Sequence, residues 1–260
     1  MSKQLFIAVL LGPLVSSVSL TASAQISSTG PAALAQRMPT IYAPYLANIS
    51  RIRVLQERNK LNSTARTGAS MPEGKAPAGR QTNLPKRPSA DQGTTFRPVQ
   101  SAFVPRELAA RLGKTPQERR DIEAVLTQCL RFYIDSARQK GVPLNDVTRA
   151  LNYFISTSYF VYSNGSGPTP DEMSATRDLI RASLLQDPTF RRMSDRQKQE
   201  AYETLIVLAG FVDMGYGTTK QSGNESAAAA FREMAKHNLE TLVGAPVEKI
   251  RFTSQGLALD

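Results

Sequence analysis

Three short segments after residue 114 restrict the fold of this chain more than anything else in it. Thr115-Pro116-Gln117-Glu118, Thr169-Pro170-Asp171-Glu172 and Ser194-Asp195-Arg196-Gln197 each place a hydroxyl residue three positions before Glu or Gln. That spacing is a capping box: the hydroxyl and the acidic or amide side chain satisfy N–H groups that a helix start leaves unpaired. In two of the three, Pro follows the cap, where its missing N–H costs nothing. A chain that marks helix starts this regularly, and follows each with apolar residues at helical spacing, reads as all-α.

Five main helices follow. The first runs from Pro116 to about Lys140, with Ile122, Val125, Leu126, Cys129, Leu130, Tyr133 and Ala137 on one face and Gly141 as its stop. The second starts after Asn145 and turns Val147, Leu151, Phe154, Ile155, Ser158 and Val161 inward. The third holds Met173, Ile180 and Leu184 and ends before Pro188. The fourth, from Asp195 to about Thr218, is apolar on most sides between Leu205 and Met214, the pattern of a central buried helix. The fifth follows Asn224, and Gly244 caps it. Ser163-Asn164-Gly165-Ser166-Gly167-Pro168 is then a turn between helices; it lacks the Lys-Ser/Thr ending of a phosphate loop. The tail from Pro246 to Leu259 reads as a short strand or extended arm over the bundle, and Pro105 opens a further short helix ahead of it.

Residues 1–24 have another character. Lys3, the apolar run from Leu5 to Leu20 and Ala22-Ser23-Ala24 follow the order of a secretory signal, which places cleavage after Ala24 and a mature start at Gln25. The run is too interrupted for a retained anchor, so no transmembrane span is expected after signal removal. The expected location is periplasmic or secreted. Cys129 is the only cysteine, so the fold must be held by its apolar core and not by an internal disulfide.

The net charge of +10 is unevenly distributed. Residues 25–114 carry a net +10, and residues 115–260 a net −1. Within the basic part, residues 62–95 are Pro, Gly, Ser, Thr and cations with almost no large apolar side chains, the composition of a disordered linker. Ahead of it, residues 25–61 form an N-terminal segment in which Tyr45, Leu46, Ile49, Ile52 and Leu55 suit a short amphipathic helix over about 45–60. The resulting organisation is signal 1–24, N-terminal segment 25–61, basic linker 62–95 and helical domain 96–260. Such a basic segment favours anionic surfaces, here an envelope component; export argues against nucleic acid.

The segments "LNDVTRALNYFISTSYFVY" and "DPTFRRMSDRQKQEAYETLIVLAGFV", with the closing "IRFTSQGLAL", resemble a family of exported bacterial helical proteins known only as a domain of unknown function. The resemblance spans about Phe96 to Leu259. Its most specific part is the series from Asp187 to Glu203. It implies a signal peptide, a variable linker and one helical domain, and transfers no catalytic residue.

The residues themselves offer little chemistry. One His, one Cys and no His-Glu-x-x-His leave no pattern for a metal or cofactor, and none is expected. Asp213, in Ile206-Val207-Leu208-Ala209-Gly210-Phe211-Val212-Asp213, is the exception. A carboxylate on a largely apolar helix is paired, exposed or functional. The first expectation is a structural hydrogen bond to a Tyr or Arg on a facing helix. The second is a binding role shared with Tyr216 or with Tyr159 and Tyr162. Gly210, Gly215 and Gly217 leave room beside it for a helix or a ligand. Two functions follow. The favoured one is a non-enzymatic exported domain that binds an unidentified protein or envelope component; the alternative is a hydrolase-like enzyme with a carboxylate–tyrosine site at Asp213.

Overall fold

The computed structural model describes residues 32–39 and 93–260. The expected signal with Ala24 and Gln25, the 45–60 helix and the linker up to residue 92 lie outside the described residues. Among those described there are eight helices and one hairpin: α1 (residues 32–39), α2 (Val104–Leu112), α3 (Pro116–Gln139), α4 (Val147–Tyr162), α5 (Pro170–Gln186), α6 (Pro188–Arg191), α7 (Asp195–Gln221), α8 (Glu225–Val243), β1 (Ile250–Thr253) and β2 (Gly256–Leu259). The five main helices stand where periodicity places them, to within three residues.

Their starts are chemical. Thr169 and Ser194 make reciprocal capping boxes with Glu172 and Gln197. The first box is one-sided. Thr115 accepts from Glu118 N–H, but the Glu118 carboxylate reaches Lys114 N–H at 2.7 Å instead of returning to Thr115. The second helix is capped by Asp146, one residue later than the sequence reading starts it, because Asn145 takes a left-handed φ of 59°. Gly244 closes α8 with φ 72°, a conformation that favours glycine.

Helix α7 is the central element. Leu205, Ile206, Val207, Leu208 and Ala209 are all 0% exposed, so no side of that stretch meets water. It packs against α2, α3, α4 and α8. Gly210 and Gly215 permit this closeness. A methyl at Gly210 would lie 2.9 Å from Cys129 Cβ on α3, and one at Gly215 would lie 2.1 Å from the Phe231 ring on α8. The room at these two positions serves helices, not a ligand. Phe231 is fully buried and cannot swing away. Gly215→Ala is therefore expected to destabilise by about 1–3 kcal/mol through overpacking, despite a helix-propensity gain of about 1 kcal/mol. Urea unfolding measures it; a neutral or stabilising result would mean the ring has space to move.

Three features depart from the sequence reading. Residues 32–39 are helical, and Leu34, Ala35 and Met38 sit in the same core as α2 and α3. Arg37 bonds the Leu112 carbonyl and pairs with Glu118 at 3.5 Å. Part of the N-terminal segment is thus built into the domain, although its sequence is short and weakly patterned. Second, the end of the expected linker is fixed in place. Thr94 is 1% exposed and donates to Asp146 Oδ1 at 2.9 Å, while its carbonyl accepts from Val147 N–H. Third, the tail is a hairpin and not a single strand. Ile250 pairs with Leu259 and Thr253 with Gly256, and β2 lies on α5.

The Asp187-to-Glu203 series anchors the arm before α2. Asp187 caps α6 through Thr189 and Phe190 N–H. Lys198 Nζ stands 5.1 Å from the centre of the Phe190 ring and donates to the Gly93 carbonyl. Gln199 accepts from Val99 N–H and donates to the Gln100 carbonyl. Glu203 accepts from Phe103 and Val104 N–H at 2.9 and 3.1 Å, capping α2 from another helix.

Candidate functional site

Helices α3 and α4 each pack on α7, and a cavity of about 180 Å³ lies among the three. From α3 it receives Phe132, Tyr133, Ser136 and Ala137, and from the helix's C-cap Lys140. From α4 come Arg149, Asn152, Tyr153, Ser156, Thr157 and Phe160, at spacings of three and four that draw one stripe. Pro168, Met173 and Arg177 also line it, and α7 contributes Asp213. The walls are mainly aromatic and aliphatic. The Tyr133 and Tyr153 rings meet at 4.9 Å, and Tyr133 continues to Tyr202 at 6.1 Å and from there to Phe96 at 5.3 Å. Phe132 is 43% exposed and stands at the surface.

Asp213 is half-buried and makes no hydrogen bond or ion pair among the described residues. The expected facing Tyr or Arg partner is not found among the described residues. Burial pushes its carboxyl up to about 6, because the charged form loses water and gains no counter-charge. Its charge is felt by two neighbours. Burial, and after it Asp213, pushes the Cys129 thiol up to about 12; the same two causes raise the Tyr153 phenol well above its usual range. Burial and Tyr202 raise the Tyr133 phenol. Cys129 is therefore a buried thiol, with its sulfur 3.8 Å from Met214 Sδ.

Two other polar atoms of the cavity lack a hydrogen-bond partner among the described residues: Asn152 Oδ1 and Arg149 Nε. Arg149 Nε is nevertheless ion-paired with Asp146 Oδ2 at 3.5 Å. Arg177 is held by Asp178 at 3.4 Å and by Ser174 Oγ at 3.0 Å. The guanidinium charges are answered locally; the Asp213 charge is not.

The tyrosines named with Asp213 in the sequence analysis go elsewhere. Tyr216 donates to Asn164 Oδ1 at 2.6 Å and so ties the Ser163–Pro168 turn to α7. Tyr159 meets Phe252 of β1 edge-on at 4.8 Å. Tyr162 packs against the core. None of the three lines the Asp213 cavity. The tyrosines that do, Tyr133 and Tyr153, were legible only in part: Tyr133 belongs to the inner face of α3, whereas Tyr153 sits on a mixed stripe of Arg149, Asn152, Ser156 and Phe160. That stripe, neither solvent-like nor fully apolar, is the one sequence signal that points to the cavity.

Among the described residues no group of three or more His, Cys, Asp or Glu could hold a metal ion, and no helix is long and apolar enough to cross a membrane. His237 lies on α8, 3.2 Å from Thr241 Oγ1, and does not line the cavity. The chain belongs to a family of unknown function, DUF6683, whose profile matches residues 1–260. Neither a curated protein nor a solved structure matches it.

Proposed function

We propose that the chain, a member of a family whose function is unknown, is a non-enzymatic exported binding domain. It holds a protein or envelope component, and the Asp213 cavity is where that component is gripped. The observation that carries this reading is a largely apolar cavity at the surface containing one carboxylate that no described residue pairs with. Concave sites with apolar walls and a few oriented polar groups are the usual form of a ligand site, and an unanswered buried charge is costly unless something outside the chain answers it. Export rests on the signal pattern of residues 1–24, and the basic N-terminal segment would add attraction to anionic surfaces.

A hydrolase-like enzyme is the second reading. One observation favours it: a carboxyl at about 6 beside a tyrosine suits a general base. The same site offers it no activated nucleophile among the described residues, since burial keeps Cys129 a thiol and Tyr153 a phenol. Binding is therefore the better reading.

The test is to fill the cavity from Ser156, a half-buried lining residue whose hydroxyl only bonds its own helix at the Asn152 and Tyr153 carbonyls. The full chain is used to capture components from an envelope extract, alongside Ser156→Trp. A component retained by the parent chain should be lost, by about tenfold or more, from a variant of unchanged unfolding temperature. Equal capture by both would move the binding surface away from this cavity.

A further inference from the structure

We infer that the Asp213 cavity is a site for a small organic ammonium ion: a protonated amine on a short apolar or aromatic stem. The inference rests on the binding reading above and gives it a ligand class.

Charge decides the class. Asp213 is the one cavity carboxylate, and no cation among the described residues pairs with it. Cys129 on α3 and Tyr153 on α4 feel its charge, and the other titratable groups lining the cavity are Tyr133 of α3, Lys140 at its cap, Arg149 of α4 and Arg177 of α5. Arg149 is engaged by Asp146 and Arg177 by Asp178 and Ser174. Lys140 is exposed at the end of α3. A ligand cation placed against Asp213 would therefore supply the counter-charge the fold withholds. Asn152 Oδ1, buried and without a partner, gives a second acceptor for an ammonium N–H. Tyr133, Tyr153 and Phe160 give ring surfaces to which a cation and its stem are attracted.

Volume sets the size. About 180 Å³ is below the 300–1,000 Å³ typical of sites for drug-sized ligands, so the occupant is a ring or short chain bearing one amine. Protonation gives the site a direction with pH. Asp213 must be charged to pair with an ammonium, and its carboxyl, pushed up to about 6 by burial, loses that charge under mild acid. Binding should weaken as pH falls through that value, while the amine itself stays protonated.

Isothermal titration of the full chain with 2-phenylethylamine, 2-phenylethanol and 3-phenylpropionate at pH 7.5 separates charge from shape. The amine should bind, and the neutral and anionic analogues should be weaker by about tenfold or more. Amine affinity should drop about tenfold between pH 7.5 and pH 5, one unit below the Asp213 value. Asp213→Asn should lose a similar factor without a lower unfolding temperature. Tighter binding of the propionate would overturn the inference in favour of the rim cations, and equal binding of all three would make the cavity merely apolar. If none binds while Ser156→Trp still abolishes capture from extract, the cavity is a site and the ammonium assignment is wrong. If Ser156→Trp has no effect either, the binding reading falls with it.

Discussion

Glu203→Ala will lower the stability of the domain by about 2–4 kcal/mol, the cost of orphaning buried donors that a charged acceptor had satisfied. Glu203 is 4% exposed and accepts from Phe103 N–H, Val104 N–H and Gln199 Nε2. The two backbone donors belong to the start of α2, where no side chain of α2's own cap bonds them. A carboxylate there also meets the positive end of the helix dipole. Truncation leaves these two N–H groups without their acceptor. Glu203→Gln keeps an acceptor and should fall between the two. Urea unfolding measures the loss, and amide hydrogen exchange at Phe103 and Val104 locates it. A loss below about 0.5 kcal/mol with both amides still protected would mean that the arm is held by something other than this cap.

Asp213→Asn is expected to act in the opposite direction. In the folded chain the Asp213 carboxyl is raised from 3.8 to about 6 by burial. Between these values the folded state binds the proton and the unfolded state does not, so stability falls as pH rises. Below about 4 both states are protonated and the cost is absent. Above about 6 the carboxylate is charged in both states, and the fold carries the full cost of about 2–3 kcal/mol. The amide removes that titration. The variant should be the more stable protein at pH 7.5 by up to that amount, and close to its parent at pH 4. Unfolding of both proteins at the two pH values isolates the effect, because every other titrating group is shared. A variant that is less stable at pH 7.5 would reveal a counter-ion for Asp213 and remove the reason for a ligand there.

These two carboxylates lie on one helix, ten residues apart, and the sequence does not tell their roles apart. Glu203 falls in the series that carries the family resemblance, yet nothing local shows that its partners are backbone groups a hundred residues earlier. Asp213 stood out as a charge among apolar neighbours. Periodicity placed it on α7 but could not say whether a facing helix would answer it. Cavities arise from the way helices diverge, and divergence depends on side chains from several elements at once. Tyr216, Tyr159 and Tyr162 were near Asp213 in sequence or on a facing helix, and each found a different neighbour in Asn164, Phe252 and the core. Tyr133 and Tyr153 reach the cavity only because α3 and α4 pack on the same central helix.

What the sequence determined by itself is therefore local. Caps, prolines, terminal glycines and the 3.6-residue period set which segments are helices and which faces turn inward, because these depend on hydrogen bonds and burial within a few turns. The all-apolar girth of residues 205–212 likewise required a central position for α7. Tertiary structure decided everything that needed two distant segments to meet. It set residues 32–39 into the core, fastened Thr94 to Asp146, folded the tail into a hairpin against α5, and left Asp213 without a partner among the described residues. Such contacts are chosen by total packing and charge balance over the whole domain, and no window of sequence contains that sum.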